Sequence, residues 1–181
     1  MYELSQEAIS NMSHRLNASK KLLILHSNLL HPLFNAEKVA DLPHLTHLDL
    51  HSNKFRLFPN EVFSMPLLNV LDLSFNEIRV VPDRIGLLTR IKHLNLEENC
   101  IQNLSSTIGY LHTLEEPCFD QNPITRLPVA LENLKQLKNT NFPLSSITLP
   151  SKDVYDFGSQ LCSHFFAKVS TFIFLSFDLF S

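Results

Sequence analysis

The sequence predicts a repeat solenoid in which short strands of successive units stack on one another. Three observations predict it: an apolar pattern returns at a constant interval, Leu-x-Leu pairs recur inside each copy, and 33 of the 181 residues are leucine. In a strand, the two leucines of such a pair point to one face and the residue between them points to the other. Stacking of successive copies would therefore build one shared core.

The composition excludes several classes of protein. With 44% hydrophobic residues the chain is too apolar to be disordered, and its 3 glycines are too few for a glycine-rich phosphate loop. A net charge of −3 argues against a nucleic-acid binder, which usually carries a basic stripe. Cys100, Cys118 and Cys162 have neither disulfide-framework nor zinc-module spacing. Because no catalytic, metal or cofactor motif appears, we expect a protein that is not an enzyme and needs no cofactor.

The 23-residue repeat defines the domain organisation. Its clearest copies are Leu45-x-x-Leu48-x-Leu50-x-x-Asn53-x-Phe55, Leu68-x-x-Leu71-x-Leu73-x-x-Asn76-x-Ile78 and Ile91-x-x-Leu94-x-Leu96-x-x-Asn99-x-Ile101. Further steps of the same length reach degenerate copies at 114–124 and 137–147, and a slightly longer step backwards reaches a first copy at 20–30. We therefore expect six repeats over residues 20–150, of which the first and the last two are degenerate.

Each repeat has a second half with its own pattern. Two copies of it are Val81-Pro82-x-x-Ile85-Gly86-x-Leu88 and Leu104-Ser105-x-x-Ile108-Gly109-x-Leu111. Together the two halves resemble the leucine-rich repeat family in its 23-residue intracellular type, similar to Ras-pathway scaffold repeats and plant intracellular Ras-group-related repeats. The resemblance implies an α/β fold, namely a curved solenoid with a concave parallel sheet and irregular or helical turns on the convex side. It also implies a scaffold or adaptor role in intracellular signalling.

The repeated asparagine has a structural interpretation. It occurs where each strand turns, at positions 28, 53, 76, 99 and 122. An amide side chain both donates and accepts hydrogen bonds, so a column of asparagines can satisfy the backbone groups that the turns expose.

The amino-terminal residues 1–19 predict a helical cap. Apolar residues at spacings of three to five within 3–18 indicate an amphipathic helix that would cover the open edge of the first repeat. The segment has no basic start followed by an apolar centre, as a signal peptide requires. We therefore expect a cytoplasmic protein.

The far end departs from the pattern. Pro117 takes the place of a strand leucine and removes a hydrogen-bond donor, and Thr140 replaces another leucine. Residues 151–181 hold 7 of the 14 phenylalanines. This tail is interpreted as an irregular carboxyl-terminal cap or as the divergent end of a truncated array. A membrane anchor is the least favoured explanation, because Lys168, His164 and Asp178 interrupt the apolar run.

The candidate binding surface consists of the variable positions on the outer face of the predicted sheet. The third, fifth and seventh places of the six repeats give eighteen positions with five carboxylates, four histidines and no lysine or arginine. Phe75, in the eighth place, adds an apolar anchor. The predicted protein-binding residues are His47, Asp49, His51, Asp72, Ser74, Phe75, His93, Asn95, Glu97, Glu116 and Asp120.

This face has two interpretations. It is an acidic, histidine-containing site for a protein with a basic or arginine-bearing segment, or it is the solvated side of a sheet. His26 and His51 would be neighbours on adjacent strands, near His47 and Asp49, so the sequence permits a zinc site there but assigns none. Cys118 also lies on this face, and no basic neighbour in the sequence would activate its thiol.

The sequence thus favours a non-catalytic protein-interaction module that acts as a scaffold or adaptor. The alternative is a truncated isoform or structural fragment of a larger repeat protein with no binding activity of its own. Membrane and nucleic-acid partners are not expected, and the sequence identifies neither the partner nor the oligomeric state.

Overall fold

Five three-residue strands form one parallel sheet in the computed structural model, which describes residues 22–24, 44–138, 141 and 146. The strands are β1 (Leu22–Ile24), β2 (His47–Asp49), β3 (Val70–Asp72), β4 (His93–Asn95) and β5 (Glu116–Cys118). Their order in the sheet is their order in the chain. The strands therefore stack as the rungs of a solenoid.

The register of the sheet follows the period of the sequence. Leu22 pairs with His47 and His47 with Val70, which reproduces the longer first step and the regular second one. Val70 pairs with His93 and His93 with Glu116, so the regular step continues to the last strand. Equivalent places of successive repeats thus lie side by side, in columns that cross the strands.

The leucine columns form the core. In β3 and its flanks, Leu68, Leu71 and Leu73 are each at most 1% exposed, and the equivalent apolar residues of the neighbouring repeats are buried as well. Burial of a leucine side chain stabilises by about 1.5–3 kcal/mol. Each repeat closes only one side of its neighbour, so the stability of the core comes from stacking.

A column of buried asparagines closes the turn that follows each strand. Within it, Asn99 donates from Nδ2 to the carbonyl oxygens of Leu73 (2.9 Å), Leu96 (3.1 Å) and Glu97 (3.1 Å). Its Oδ1 accepts from the backbone N–H of Ile78 at 2.9 Å. Since these contacts reach the preceding repeat, the side chain joins two rungs. The buried members of the column are Asn53, Asn76, Asn99 and Asn122.

A left-handed residue precedes each of these asparagines. The φ angles are 53° at Ser52, 55° at Phe75, 52° at Glu98 and 53° at Gln121. Positive φ is unusual in residues other than glycine, and most of all for a bulky side chain. The turn therefore holds Phe75 in a conformation that its side chain disfavours.

On the other side of the solenoid, each of the four described repeats that begin at residues 45, 68, 91 and 114 carries one short 3₁₀ helix. These helices are Asn60–Ser64, Asp83–Leu87, Ser106–Tyr110 and Val129–Asn133. A proline precedes three of these helices, namely Pro59, Pro82 and Pro128. The helix Ser106–Tyr110 is instead preceded by Ser105, whose hydroxyl accepts from the Thr107 N–H at 3.1 Å. The second half of each of these four repeats thus encodes a helix start.

Glycine permits close stacking of these helices. A Cβ added at Gly109 would lie 2.5 Å from the carbonyl oxygen of Ala130 and 2.8 Å from its Cβ. At Gly86 the nearest atoms would be the Thr107 carbonyl oxygen and Tyr110 Cδ2, both at 3.0 Å. Close backbone approach is one of the situations that require glycine.

Pro117 occupies the centre of β5, opposite Leu94. Its backbone faces the sixth repeat, because its carbonyl accepts from the Asn141 N–H at 3.1 Å. The N–H that proline lacks would have pointed the same way. The substitution therefore weakens the ladder on that side and leaves the pairing with β4 intact.

Several sequence predictions concern residues outside those described. They are the amino-terminal cap at 1–19, most of the first and sixth repeats, and the tail at 151–181. Among the described residues, no helix has the length and apolar character needed to cross a membrane.

Candidate functional site

The outer face of the sheet, which is the concave face of this fold, carries the predicted binding residues. Most of them are half-buried, while His47 and Phe75 are exposed and Ser74 is buried. Within the described residues, the third, fifth and seventh columns contain five carboxylates, three histidines and no lysine or arginine. The histidines are His47, His51 and His93, and the carboxylates are Asp49, Asp72, Glu97, Glu116 and Asp120.

Asp49, Asp72 and Asn95 form the middle column. They are in register on three successive strands. Asn95 Nδ2 donates to Asp72 Oδ2 at 3.2 Å. The structure thus brings together the three positions that the sequence placed side by side.

Ser74 differs from its predicted role. We expected it on the surface, but it is only 3% exposed. Its hydroxyl donates to Asp72 Oδ1 at 2.6 Å, and its backbone N–H donates to the same oxygen at 2.9 Å. Since a buried hydroxyl needs a partner, the covered Ser74 side chain orients Asp72 rather than contacting a ligand.

Two imidazole–carboxylate pairs lie on the face. His51 Nδ1 is 2.6 Å from Asp49 Oδ1, which also accepts from the His51 backbone N–H at 3.1 Å. His93 Nδ1 is 2.7 Å from Glu116 Oε2, across β4 and β5. The first pair lies at the end of β2, next to β3, and the second pair joins β4 to β5.

Cys118 lies between these acidic groups at the far end of the face. Its Sγ is 3.7 Å from Glu97 Oε2. Burial is the main cause that raises the pKa of this thiol, and the Glu97 carboxylate adds to the effect. A raised pKa reduces the thiolate fraction and hence the reactivity of a cysteine.

Lysines lie beside the concave face. Lys92 and Lys138 both contact Glu115, a residue that directly precedes β5, at 3.0 and 2.5 Å. Hydrogen bonds from Lys138 and then Lys92 lower the pKa of Glu115 to about 2. These cations are paired with a carboxylate outside the three columns, so they leave the face acidic.

Two pairs of exposed apolar side chains were not identified from the sequence pattern alone. Leu57 and Val80 are exposed at equivalent places of neighbouring repeats, and so are Leu87 and Tyr110. The signal was present in the sequence as a 23-residue spacing between apolar residues outside the core pattern. Phe75 is the exposed aromatic of the concave face.

The comparisons with known proteins agree with this architecture. Residues 43–99 match the family model described as leucine rich repeat. Among curated proteins, no sequence matches this chain.

Three solved structures illustrate the similarity. A leucine-rich repeat protein of Leptospira interrogans is 26% identical with a TM-score of 0.63, over 81% of this chain and 38% of that one. Internalin C2 of Listeria monocytogenes is 23% identical with a TM-score of 0.59, over 70% of this chain and 57% of that one. The ectodomain of the receptor kinase SOBIR1 of Arabidopsis thaliana is 18% identical with a TM-score of 0.56, over 78% and 92%.

This chain therefore spans about two fifths of the length of the Leptospira protein. The fold that these structures share is generally a protein–protein interaction module, and proteins that have it are typically not enzymes. The predicted α/β leucine-rich repeat fold is confirmed, and the family match together with these neighbours supports a leucine-rich repeat protein.

Proposed function

We propose that this protein is a non-catalytic interaction module whose concave face binds a basic segment of a protein partner. The observation that carries the proposal is the charge of that face. Its three described columns hold five carboxylates and no lysine or arginine. Because its only permanently charged side chains are carboxylates, the face favours a partner with lysine or arginine and repels an acidic one.

The arrangement of the face supports a protein partner rather than a small ligand. The columns cross five strands at about 4.8 Å each, so the surface is wide enough for an extended segment. Phe75 is 52% exposed at the edge of the face, where an apolar side chain of the partner could cover it. Aromatic residues are common anchors of protein interfaces.

A scaffold or adaptor role in intracellular signalling is the finer part of the proposal. It rests on the resemblance of the repeats to Ras-pathway scaffold and plant intracellular Ras-group-related types, which also favours a cytoplasmic location. Recovery of signalling proteins with this chain from cytosol would support the role.

Charge reversal tests the concave site. The variant carries Asp49→Lys, Asp72→Lys and Glu97→Lys, which change the charge of the face by six units. Affinity purification with the wild-type chain and with this variant, followed by mass spectrometry, compares their partners. We expect the variant to lose basic partners at least tenfold, because opposite charges become like charges.

The matched control reverses three carboxylates that lie outside the three columns and outside the eighth place that Phe75 occupies: Glu61→Lys, Glu77→Lys and Asp83→Lys. It has the same net charge as the first variant. If both variants retain the wild-type partners, or both lose them equally, the concave face is not the site.

The pH provides a second readout. Histidine side chains in general gain a proton as the pH falls through the physiological range. Any imidazole of the face that gains a proton would reduce the negative field of the face. We expect weaker binding of a basic partner at pH 6 than at pH 7.5, and equal binding would argue against a concave site.

A further inference from the structure

One imidazole and two carboxylates converge between β2 and β3. They belong to Asp49, His51 and Asp72, all half-buried, and one ligand atom from each lies within 4.8 Å of the others. In the part of the chain that the structure describes, no other group of three histidine, cysteine, aspartate or glutamate side chains meets this condition. The group includes a nitrogen donor and spans two strands.

Hydrogen bonds hold the carboxylates in place. Asp72 Oδ1 accepts from the N–H and the hydroxyl of Ser74, and Oδ2 accepts from Asn95 Nδ2 at 3.2 Å. Asp49 Oδ1 accepts from the backbone N–H of His51 at 3.1 Å. Such partners orient the ligands of metal sites, and their loss typically weakens metal binding 10–100-fold. The two hydrogen bonds to Asp72 explain why Ser74 is buried.

The charge of the group favours a cation. Asp49 and Asp72 are directly opposite each other on paired parallel strands, and like charges in such places destabilise a sheet. On its other side Asp49 pairs with Ile24, which supplies no charge. A divalent cation bound by both carboxylates would remove the repulsion.

The donor set selects the kind of ion. Magnesium and calcium prefer oxygen donors alone, whereas zinc takes both imidazole nitrogen and carboxylate oxygen. We propose that Asp49, His51 and Asp72 form a zinc-binding site on the concave face. The proposal does not depend on whether a protein partner binds there.

The required rearrangement is small. Zinc bonds of about 2.0–2.1 Å in a tetrahedral site place two ligand atoms roughly 3.3 Å apart. His51 Nδ1 and Asp49 Oδ1, now 2.6 Å apart, must therefore separate slightly, while the atoms up to 4.8 Å apart must approach. Three protein ligands leave a fourth position, which a water or a group of a partner can take.

Zinc titration of the full chain tests the site. The protein is first stripped of metal with a chelator, and Zn²⁺ is then titrated in competition with a chromophoric chelator. We expect one tight equivalent per chain, which millimolar Mg²⁺ does not displace. His51→Gln and Asp72→Asn should each weaken this equivalent at least tenfold.

Two matched variants remove the same chemical groups elsewhere on the face. His93→Gln removes an imidazole and Asp120→Asn removes a carboxylate, and both should bind zinc within twofold of the wild type. Circular dichroism establishes that each variant is folded. The proposal is overturned if the folded wild type binds no zinc, or if His51→Gln and Asp72→Asn bind it as the wild type does.

Discussion

Replacement of Gly109 by alanine should destabilise the solenoid through a collision between two backbones. The new Cβ would lie 2.5 Å from the carbonyl oxygen of Ala130, and Cβ atoms are essentially never found within 3.0 Å of a neighbouring atom. A backbone oxygen cannot rotate away, so the helices Ser106–Tyr110 and Val129–Asn133 must separate until this distance reaches at least 3.0 Å. Overpacking of this kind costs about 1–3 kcal/mol.

An opposing effect reduces this cost. Gly→Ala lowers the entropy of the unfolded chain, which stabilises by about 0.4–1 kcal/mol where the backbone conformation is compatible. Gly109 has no positive φ, so this gain applies. At the middle of these two ranges the net loss for Gly109→Ala is about 1.3 kcal/mol, which corresponds to a fall in melting temperature of roughly 3–5 °C in a chain of this size.

Gly86→Ala is the matched control. There the nearest atoms are 3.0 Å away, and one of them belongs to the movable side chain of Tyr110. We expect a change of less than about 0.5 kcal/mol because the two effects nearly cancel. Thermal and urea unfolding followed by circular dichroism compare the two variants. If Gly109→Ala melts at or above the wild type, or Gly86→Ala is the less stable variant, the close-approach argument is wrong.

Three further predictions concern other parts of the fold. Asn99→Ala should reduce the free energy of unfolding in urea by about 1–3 kcal/mol, because the buried N–H of Ile78 loses its acceptor; an unchanged urea midpoint would contradict this. The folded pKa of Glu115, about 2, lies below its ordinary value of 4.5, so its lysine contacts stabilise the fold above about pH 4.5 and this contribution is lost as the pH falls towards 2. Glu115→Gln should therefore show a smaller loss of stability over that interval, and acid titrations of equal slope would refute it. Iodoacetamide should modify the exposed Cys100 faster than Cys118, whose thiol is half-buried and has a raised pKa; peptide mapping reports both rates, and equal rates would contradict the assignment.

The strand architecture could be predicted from the sequence because it depends on periodicity. The Leu-x-Leu pattern defines which face of a strand is buried, and the 23-residue step defines its partner, as in the pairing of Leu71 with Leu94. Both are properties of the backbone and of residue type. The role of the turn asparagines could also be predicted from the sequence, since an amide in a buried turn has few roles other than hydrogen bonding to the backbone.

Other features depend on side-chain conformation and on distances between helices, which the pattern does not specify. Ser74 occupies a column that faces the surface, but it is buried and its hydroxyl donates to Asp72. The repeat pattern places His51 and Asp49 near other histidines, whereas the structure adds Asp72 as the third group. Gly109 reads as a turn residue in the sequence, and its contact with Ala130 is visible only from coordinates. The terminal cap, the six-repeat boundaries and the tail stay predictions.

Pro117 has a consequence for how the array comes apart. A repeat solenoid behaves as a one-dimensional chain of coupled units, and its cooperativity is limited by the weakest coupling. A missing donor on the outer side of β5 is such a weak coupling. Native-state hydrogen exchange should therefore show a step at this strand, with amides on its amino-terminal side exchanging only on global opening. Unfolding that begins in the residues after Pro117 would stop at β5, and the strands that carry the acidic face would stay folded.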